Sequence, residues 1–227
     1  MIFNNVVRVG VLLPLFSLLP FHSITQHPPT RVRLTLATLH AAALTTPRAA
    51  TDSVDGPYFL VSILGPHAKA EAIHLPATGH LTIHEDEALG TRDLVDLKLE
   101  PGDTVRLLVS VLEGKKTIAP QETAAATAST PALSQPPDAR AAIVSSALAP
   151  VTKDGAHWLG SATLLLTNEN GTVYWRALEC VSTCKVLSGA GSKAFATSGS
   201  GTIAGVVELS GSGATYHMQL QGHATSW

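Results

Sequence analysis

Residues 94–113, which read LVDLKLEPGDTVRLLVSVLE, contain two apolar runs separated by a turn. Residues 94–99 and 104–113 are rich in Leu and Val and have the length and composition of strands. Between them, Pro101 and Gly102 stand at the second and third positions of a four-residue turn. Proline presets φ there, and glycine takes a positive φ at low cost. This stretch predicts a type II turn that joins two antiparallel strands in a β-hairpin.

Strand-like runs continue on both sides of this stretch. In residues 31–39 (RVRLTLATL) apolar and polar side chains alternate, which indicates a half-buried strand. Further strands are expected over residues 58–64, 79–84, 158–167, 172–178, 205–209 and 215–220. The Asn170-Gly171 step between two of them predicts a hairpin, and a Gly/Ser-rich turn predicts another between the last two.

The number of strands determines the expected architecture. About nine short strands without a long helix cannot form one open sheet without leaving an apolar face in water. The sequence therefore predicts an all-β fold, an antiparallel two-sheet β-sandwich of about eight to nine strands. It is expected to be a single domain over residues 31–227.

Residues 117–152 differ from the rest of this domain. The segment is dominated by Ala, Thr, Ser and Pro, and its charged residues are Glu122, Asp138 and Arg140. Such a run buries little bulk, and its prolines block regular strand pairing. We expect a surface loop or flexible low-complexity insert. The alternative is a short helix over residues 138–148, with Asp138 as its N-cap.

The overall composition is that of a neutral globular protein. The chain has 227 residues, a formal net charge of −2, 45% hydrophobic residues and 14% charged residues. Without a basic surplus, nucleic-acid binding is not expected. The high apolar content and low net charge exclude a disordered chain.

The N-terminal residues indicate export. Arg8 is followed by a short apolar block at residues 9–21, the pattern of a secretory signal peptide. We therefore predict a signal peptide over residues 1–23 and a secreted or extracytoplasmic protein. The alternative is an uncleaved membrane anchor through residues 9–21.

The two cysteines, Cys180 and Cys184, agree with export. Close spacing and an even count favour one short-loop disulfide in an oxidising compartment. The bond would pin a local turn, because so short a loop restrains little unfolded-chain entropy. Free buried thiols are the alternative.

A histidine-rich segment, residues 67–87, is a candidate metal site. His80 and His84 would point to one face of a strand, and imidazole is a good ligand. At strand rise the two are about 13 Å apart, too far to reach one ion directly. A polar strand face and loop is therefore the favoured interpretation, with a metal-dependent enzyme as the alternative.

Acidic residues near the ends of strands raise the possibility of calcium. Calcium binds six to eight oxygen atoms, usually with several converging carboxylates. The candidates are Asp52, Asp55, Glu113 and Asp154, which belong to three distant segments. They would need to meet at one end of a sandwich.

Three stretches resemble parts of C2-like β-sandwich domains. They read DGPYFLVSIL, LKLEPGDTVRLLVSVLE and GAHWLGSATLLLTNENG. In that family a DDFLG-like segment opens a strand after a loop with calcium-binding aspartates. Asp154, Leu159 and Gly160 match it here, while His157 stands where an acid is expected. The resemblance implies a C2-like fold, with calcium-dependent binding to a membrane surface as an expected activity.

No nucleophile or phosphate-binding motif accompanies these features: G-x-S-x-G and G-x-x-x-x-G-K-[ST] are both absent from the sequence. We expect a secreted, non-enzymatic β-sandwich that acts as a binding or structural module without a cofactor. The partner would be a protein, a glycan or a lipid surface. The alternatives are a calcium- or membrane-binding C2-like module and a metal-dependent enzyme that uses residues 67–87.

Overall fold

The computed structural model describes residues 29–44, 56–66, 69–84, 86–114, 119–191, 193–194 and 201–226. These residues form twelve β-strands, two α-helices and a short 3₁₀ helix, labelled below in chain order. The predicted signal peptide over residues 1–23 lies outside the described residues.

Sheet A is antiparallel and has six strands within the described ranges. They are β1 (Thr30–Ala43), β4 (Ala88–Leu89), β5 (Arg92–Leu99), β9 (Cys184–Ser188), β11 (Gly201–Gly211) and β12 (Ala214–Ser226). The strand order is β4–β1–β12–β11–β9. Strands β4 and β5 pair with successive parts of one edge of β1.

Sheet B also has six described strands, in the order β10–β8–β7–β6–β2–β3. They are β2 (Gly56–Leu64), β3 (Ala70–Leu75), β6 (Thr104–Gly114), β7 (His157–Glu169), β8 (Thr172–Ser182) and β10 (Lys193–Ala194). All its pairings are antiparallel.

The two sheets pack face to face around one apolar core. In β1, Val32, Leu34 and Leu36 are fully buried in this core, while Arg31 and Arg33 face solvent. This alternation is the one predicted for residues 31–39. The all-β two-sheet β-sandwich is confirmed, and the described strands number twelve rather than eight or nine.

Residues 119–153 are helical, so the prediction of a loop or flexible insert is wrong for this part of the chain. The segment forms α1 (Ala119–Ser129), a 3₁₀ helix (Thr130–Ser134) and α2 (Pro137–Lys153). The alternative, a helix over residues 138–148, is confirmed and is longer than expected, but its N-cap is Pro136 and Asp138 lies within the first turn. Both α-helices within the described ranges fall short of the length and hydropathy of a bilayer-spanning segment.

The helices form a third layer on the outer face of sheet B. A second apolar core lies there, with Tyr58, Leu60 and Leu108 on the sheet side and Leu133 and Leu148 on the helix side. Strands β2 and β6 are therefore covered on both faces, which explains their nearly continuous apolar sequences. The alanines of α1 allow close approach, and the Ser62 hydroxyl donates a hydrogen bond to the Ala126 carbonyl at 2.6 Å.

The hairpin predicted over residues 94–113 does not form. Strand β5 pairs with β1 in sheet A, and β6 pairs with β2 and β7 in sheet B. The turn itself is present: Gly102 has a φ of +92°, and the Asp103 amide donates to the Glu100 carbonyl at 3.0 Å. Type II turns splay the strands that they join, and this one carries the chain from one sheet to the other.

The two other predicted hairpins are confirmed. Asn170 and Gly171 connect β7 to β8 with φ values of 53° and 86°. Ser212 and Gly213 connect β11 to β12 with φ values of 52° and 89°. Two consecutive positive φ values match the twist of a tight hairpin, which explains why these turns produce paired strands.

The prediction of a strand over residues 79–84 is also wrong. Those residues form a loop. Strand β2 pairs with β6 on one side and with β3, which was not predicted, on the other. The alternation in GHLTIH arises because Ile83 is fully buried in the core between the sheets. The loop makes a single strand-like contact to β2, from the Leu81 amide to the Pro57 carbonyl at 2.8 Å.

A disulfide joins Cys180 to Cys184, as predicted. It bridges the point where the chain leaves sheet B at the end of β8 and enters sheet A as β9. Thr183, between these strands, has a φ of 47°. The bond therefore pins a crossing between the sheets.

Replacing both cysteines with serine is expected to lower the free energy of unfolding by about 2 kcal/mol, because the closed loop is short. Urea denaturation of the oxidised protein and of the double variant measures this difference. A variant that does not fold at all would contradict the local role given to the bond.

Candidate functional site

A cavity of about 250 Å³ opens between the two sheets. It lies on the side where β5 is the neighbour of β1 in sheet A and β3 is the edge of sheet B. Its walls are apolar and come from both sheets and from the loop between β3 and β4. The apolar lining consists of Leu36, Phe59, Leu75, Pro76, Leu81 and Leu94. We call this space the inter-sheet cavity.

An irregularity in β5 directs Leu94 into the cavity. Val95 pairs with Leu34 and Asp93 pairs with Thr35, so Leu94 is an extra residue in the ladder. Leu94 and Val95 are both buried, although they are consecutive. A β-bulge re-aims side chains in this way and is common beside binding sites.

The rim of the cavity carries charge. Arg92 and Asp93 line its mouth and are exposed. Within the described ranges, neither forms an ion pair with another residue. An apolar interior with a few polar groups at the entrance is the usual composition of a small-molecule site.

A cluster of three buried polar side chains lies on the other face of sheet B. Tyr58 of β2, His74 of β3 and Glu122 of α1 have exposures of 0%, 8% and 1%. His74 Nε2 lies 2.9 Å from Glu122 Oε2, and the centroids of the Tyr58 and His74 rings are 5.3 Å apart. Burial, and then the negative charge of Glu122 and hydrogen bonding to that carboxylate, raise the pKa of Tyr58 well above its usual range.

The polar atoms of this cluster contact one another without strict hydrogen-bond geometry. Tyr58 Oη, His74 Nε2 and Glu122 Oε2 are inaccessible to water, and none has a hydrogen bond of good geometry within the described chain. His74 Nε2 and Glu122 Oε2 are nevertheless within ion-pair distance, at 2.9 Å. Buried polar atoms without partners are uncommon in native proteins.

A second cavity, of about 170 Å³, contains Arg106 and Arg140 between sheet B and the helices. Arg140 Nη1 lies 2.7 Å from Glu179 Oε2 and 3.2 Å from Thr163 Oγ1, and its Nε donates to the Gln135 carbonyl. These contacts attach α2 to the sheet and neutralise the Arg140 charge.

The calcium candidates are only partly described. Glu113 is 1% exposed and accepts a hydrogen bond from the Tyr216 hydroxyl at 2.9 Å. Asp154 follows α2, is exposed and accepts a hydrogen bond from Gln121 Nε2 at 2.8 Å. Asp52 and Asp55 lie outside the described residues, so the calcium hypothesis stays a prediction.

His80 and His84 belong to the loop after β3, and the strand face expected to hold them is absent from this part of the structure. The His80 ring lies next to Gly56, and the His84 amide donates to Glu87. Among the described residues, no group of three or more His, Cys, Asp or Glu side chains is placed to hold a metal.

Sequence reasoning missed both sites. The inter-sheet cavity depends on the contact between two sheet edges, which no local pattern reveals. The buried cluster has one visible sign, since Glu122 is a rare charge in an alanine-rich segment. A charge in such a context is either exposed or paired, and here it is buried against His74.

No protein family matches this chain, and no curated protein or solved structure is significantly similar to it. The C2-like resemblance therefore stays a prediction.

Proposed function

We propose that this protein is an exported, non-catalytic binding module, and that the inter-sheet cavity is its ligand site. The ligand is a small, mostly apolar molecule or a short aliphatic chain. The apolar lining of the inter-sheet cavity is the observation that carries this proposal.

The size of the cavity limits the ligand. Ligand sites usually measure ~300–1,000 Å³, and dry apolar cavities of ~150 Å³ admit benzene. A volume of about 250 Å³ lies between these values. It suits a single substituted ring or a chain of a few carbons.

The composition of the cavity favours binding over catalysis. Its inner walls are leucine, phenylalanine and proline side chains, which offer no nucleophile and no general base. Its charged residues, Arg92 and Asp93, are exposed at the mouth. Charged groups at the mouth can orient the polar head group of a ligand whose apolar part lies inside the cavity.

Two observations support export. The Cys180–Cys184 disulfide is the kind of bond that persists in oxidising compartments. The basic-then-apolar pattern of residues 1–23 is that of a signal peptide.

Filling the cavity is expected to abolish binding. Hexanol, hexanoate and hexylamine are suitable probes, since they share one chain and differ in head group. Leu81 is half-buried in the loop that borders the cavity, so Leu81→Trp should place an indole in the space. Isothermal titration calorimetry should show a loss of affinity of at least about tenfold, or about 1.4 kcal/mol.

The matched control is Leu97→Trp, because Leu97 is half-buried on β5 and does not belong to the cavity lining. This variant should bind the probes as the parent protein does. If the parent protein binds none of the three probes at millimolar concentration, or if Leu81→Trp binds them equally well, the proposal fails.

A further inference from the structure

The two charged residues at the mouth of the inter-sheet cavity belong to opposite faces of sheet A. In the antiparallel ladder of β1 and β5, Arg92 pairs with Leu36 and Asp93 pairs with Thr35. Residues directly opposite each other in such a ladder project their side chains to the same face. Leu36 is fully buried and lines the cavity, so Arg92 belongs to the inner face. Thr35 lies between the buried Leu34 and Leu36 and faces outward, so Asp93 belongs to the outer face.

The bulge in β5 is what places the two charges in this way. Val95 pairs with Leu34 on the inner face, and Leu94 is the extra residue, also buried. Along the strand from Leu94, Asp93 then turns outward and Arg92 turns inward. A regular strand would alternate without the extra residue and would reverse the two, with Asp93 on the inner face. The bulge therefore selects the positive charge for the side of the cavity.

Arg92 leaves this positive charge available at the open end of the cavity. Its side chain is exposed, and among the described residues it forms no ion pair. The arginines on the outer face of β1 differ in this respect, because Arg31 and Arg33 both lie within ion-pair distance of Asp96. An arginine stem packs along apolar surface while its guanidinium stays in water, which suits a position at the rim of an apolar space.

We propose, on the basis of the proposed function of the inter-sheet cavity, that its ligand is a small monocarboxylic acid with an apolar tail. The tail lies between the sheets, where a volume of about 250 Å³ lined by leucine, phenylalanine and proline suits a few carbons or one ring. The carboxylate stays at the mouth and accepts two parallel hydrogen bonds from the Arg92 guanidinium.

The single cation on the inner face determines the charge of the head group. Arg92 and Asp93 are the charged residues of the described lining, and Asp93 belongs to the outer face. A carboxylate carries one negative charge and matches one guanidinium. A phosphate ester carries a charge of about −1.5 to −2 at neutral pH and would need a second cation. An amine would bring a like charge to Arg92.

The test compares hexanoate, hexanol and hexylamine in calorimetric titrations of the full-length protein. Hexanoate should bind about fivefold more tightly than hexanol, the upper value for an exposed ion pair, and hexylamine should bind most weakly. Arg92→Gln should lower the affinity for hexanoate to that for hexanol and leave the affinity for hexanol unchanged. Because a damaged fold would weaken both probes, the ratio of the two affinities reports the contact to the head group.

The matched control is Arg33→Gln, the same substitution on the outer face of β1. It removes the same charge and should keep the preference for hexanoate. Equal binding of hexanoate and hexanol by the parent protein, an unchanged preference in Arg92→Gln, or an equal loss in Arg33→Gln would overturn this inference and leave the cavity as a ligand site. A preference for hexylamine that Asp93→Asn removes would assign the head group to Asp93 instead. Failure of all three probes to bind would overturn the proposed function itself.

Discussion

Replacing Trp175 with alanine is expected to lower the free energy of unfolding by about 3–5 kcal/mol. Trp175 is fully buried in the core between the sheets. It faces Gly205 of β11, where an added Cβ would lie 3.3 Å from the tryptophan ring. Because glycine has no side chain to move into the space, the cavity left by the truncation would persist, and the loss should be near the upper end of this range.

Urea denaturation of the parent protein and of the variant measures this loss. Trp158→Ala is the matched control, since Trp158 is half-buried on the other face of sheet B and should cost less. Trp175→Phe keeps an aromatic ring and reports on the site if the alanine variant does not fold. If Trp175→Ala lowered the free energy of unfolding less than Trp158→Ala, the result would contradict the placement of Trp175 in the core between the sheets.

Replacing Gly56 with alanine is expected to lower the free energy of unfolding. Overpacking costs about 1–3 kcal/mol, and we expect a loss at or above the upper end of this range. An added Cβ would lie 1.9 Å from the Leu81 carbonyl oxygen and 2.4 Å from the His80 ring. The first of these atoms belongs to the backbone, so the loop at residues 79–84 would have to shift. Leu81 also lines the inter-sheet cavity, and the variant should therefore bind hexanol more weakly.

Gly65→Ala is the control at the other end of β2. Its added Cβ would meet the Lys69 carbonyl oxygen at 3.5 Å, an ordinary contact, and its stability should stay within about 0.5 kcal/mol of the parent protein. Thermal and urea denaturation of both glycine variants provide the comparison. Equal stability of the two would show that the loop does not press on the start of β2.

Local patterns predicted the paired strands where the turn chemistry matched the twist of the sheet. The Asn170-Gly171 turn provides two positive φ values in succession and yields the expected hairpin. The Pro101-Gly102 turn provides one, at Gly102, and its flanking strands separate into different sheets. The turn was predictable from these residues, but the partners of its strands depend on long-range contacts.

The helical layer departs from the sequence prediction because an alanine-rich segment buries little bulk per residue and nevertheless packs on sheet B. Strands β2 and β6 carry apolar residues on both faces, including Tyr58 and Leu108 on the outer one. An apolar outer face must be packed against another layer. The nearly continuous apolar sequences of β2 and β6 already indicate that such a layer exists. Small residues such as Ala126 supply that cover by close approach.

The candidate sites are the part of the structure that is least predictable from the sequence. The spacing of His80 and His84 suggests a shared strand face, yet His74 is the histidine that is buried against a carboxylate. Its partner Glu122 is 48 positions further along the chain, so no spacing rule connects them. The lining of the inter-sheet cavity likewise combines ordinary leucines from separate segments.

The most direct test of the proposed function is a methyl NMR titration of the full-length protein with hexanol. Binding in the inter-sheet cavity predicts shifts confined to its leucines, Leu36, Leu75, Leu81 and Leu94. Two leucines of the second cavity, Leu133 and Leu165, lie outside the core between the sheets and serve as an internal control. Shifts at these two alone, or no saturable shift at the first four, would contradict a ligand site between the sheets.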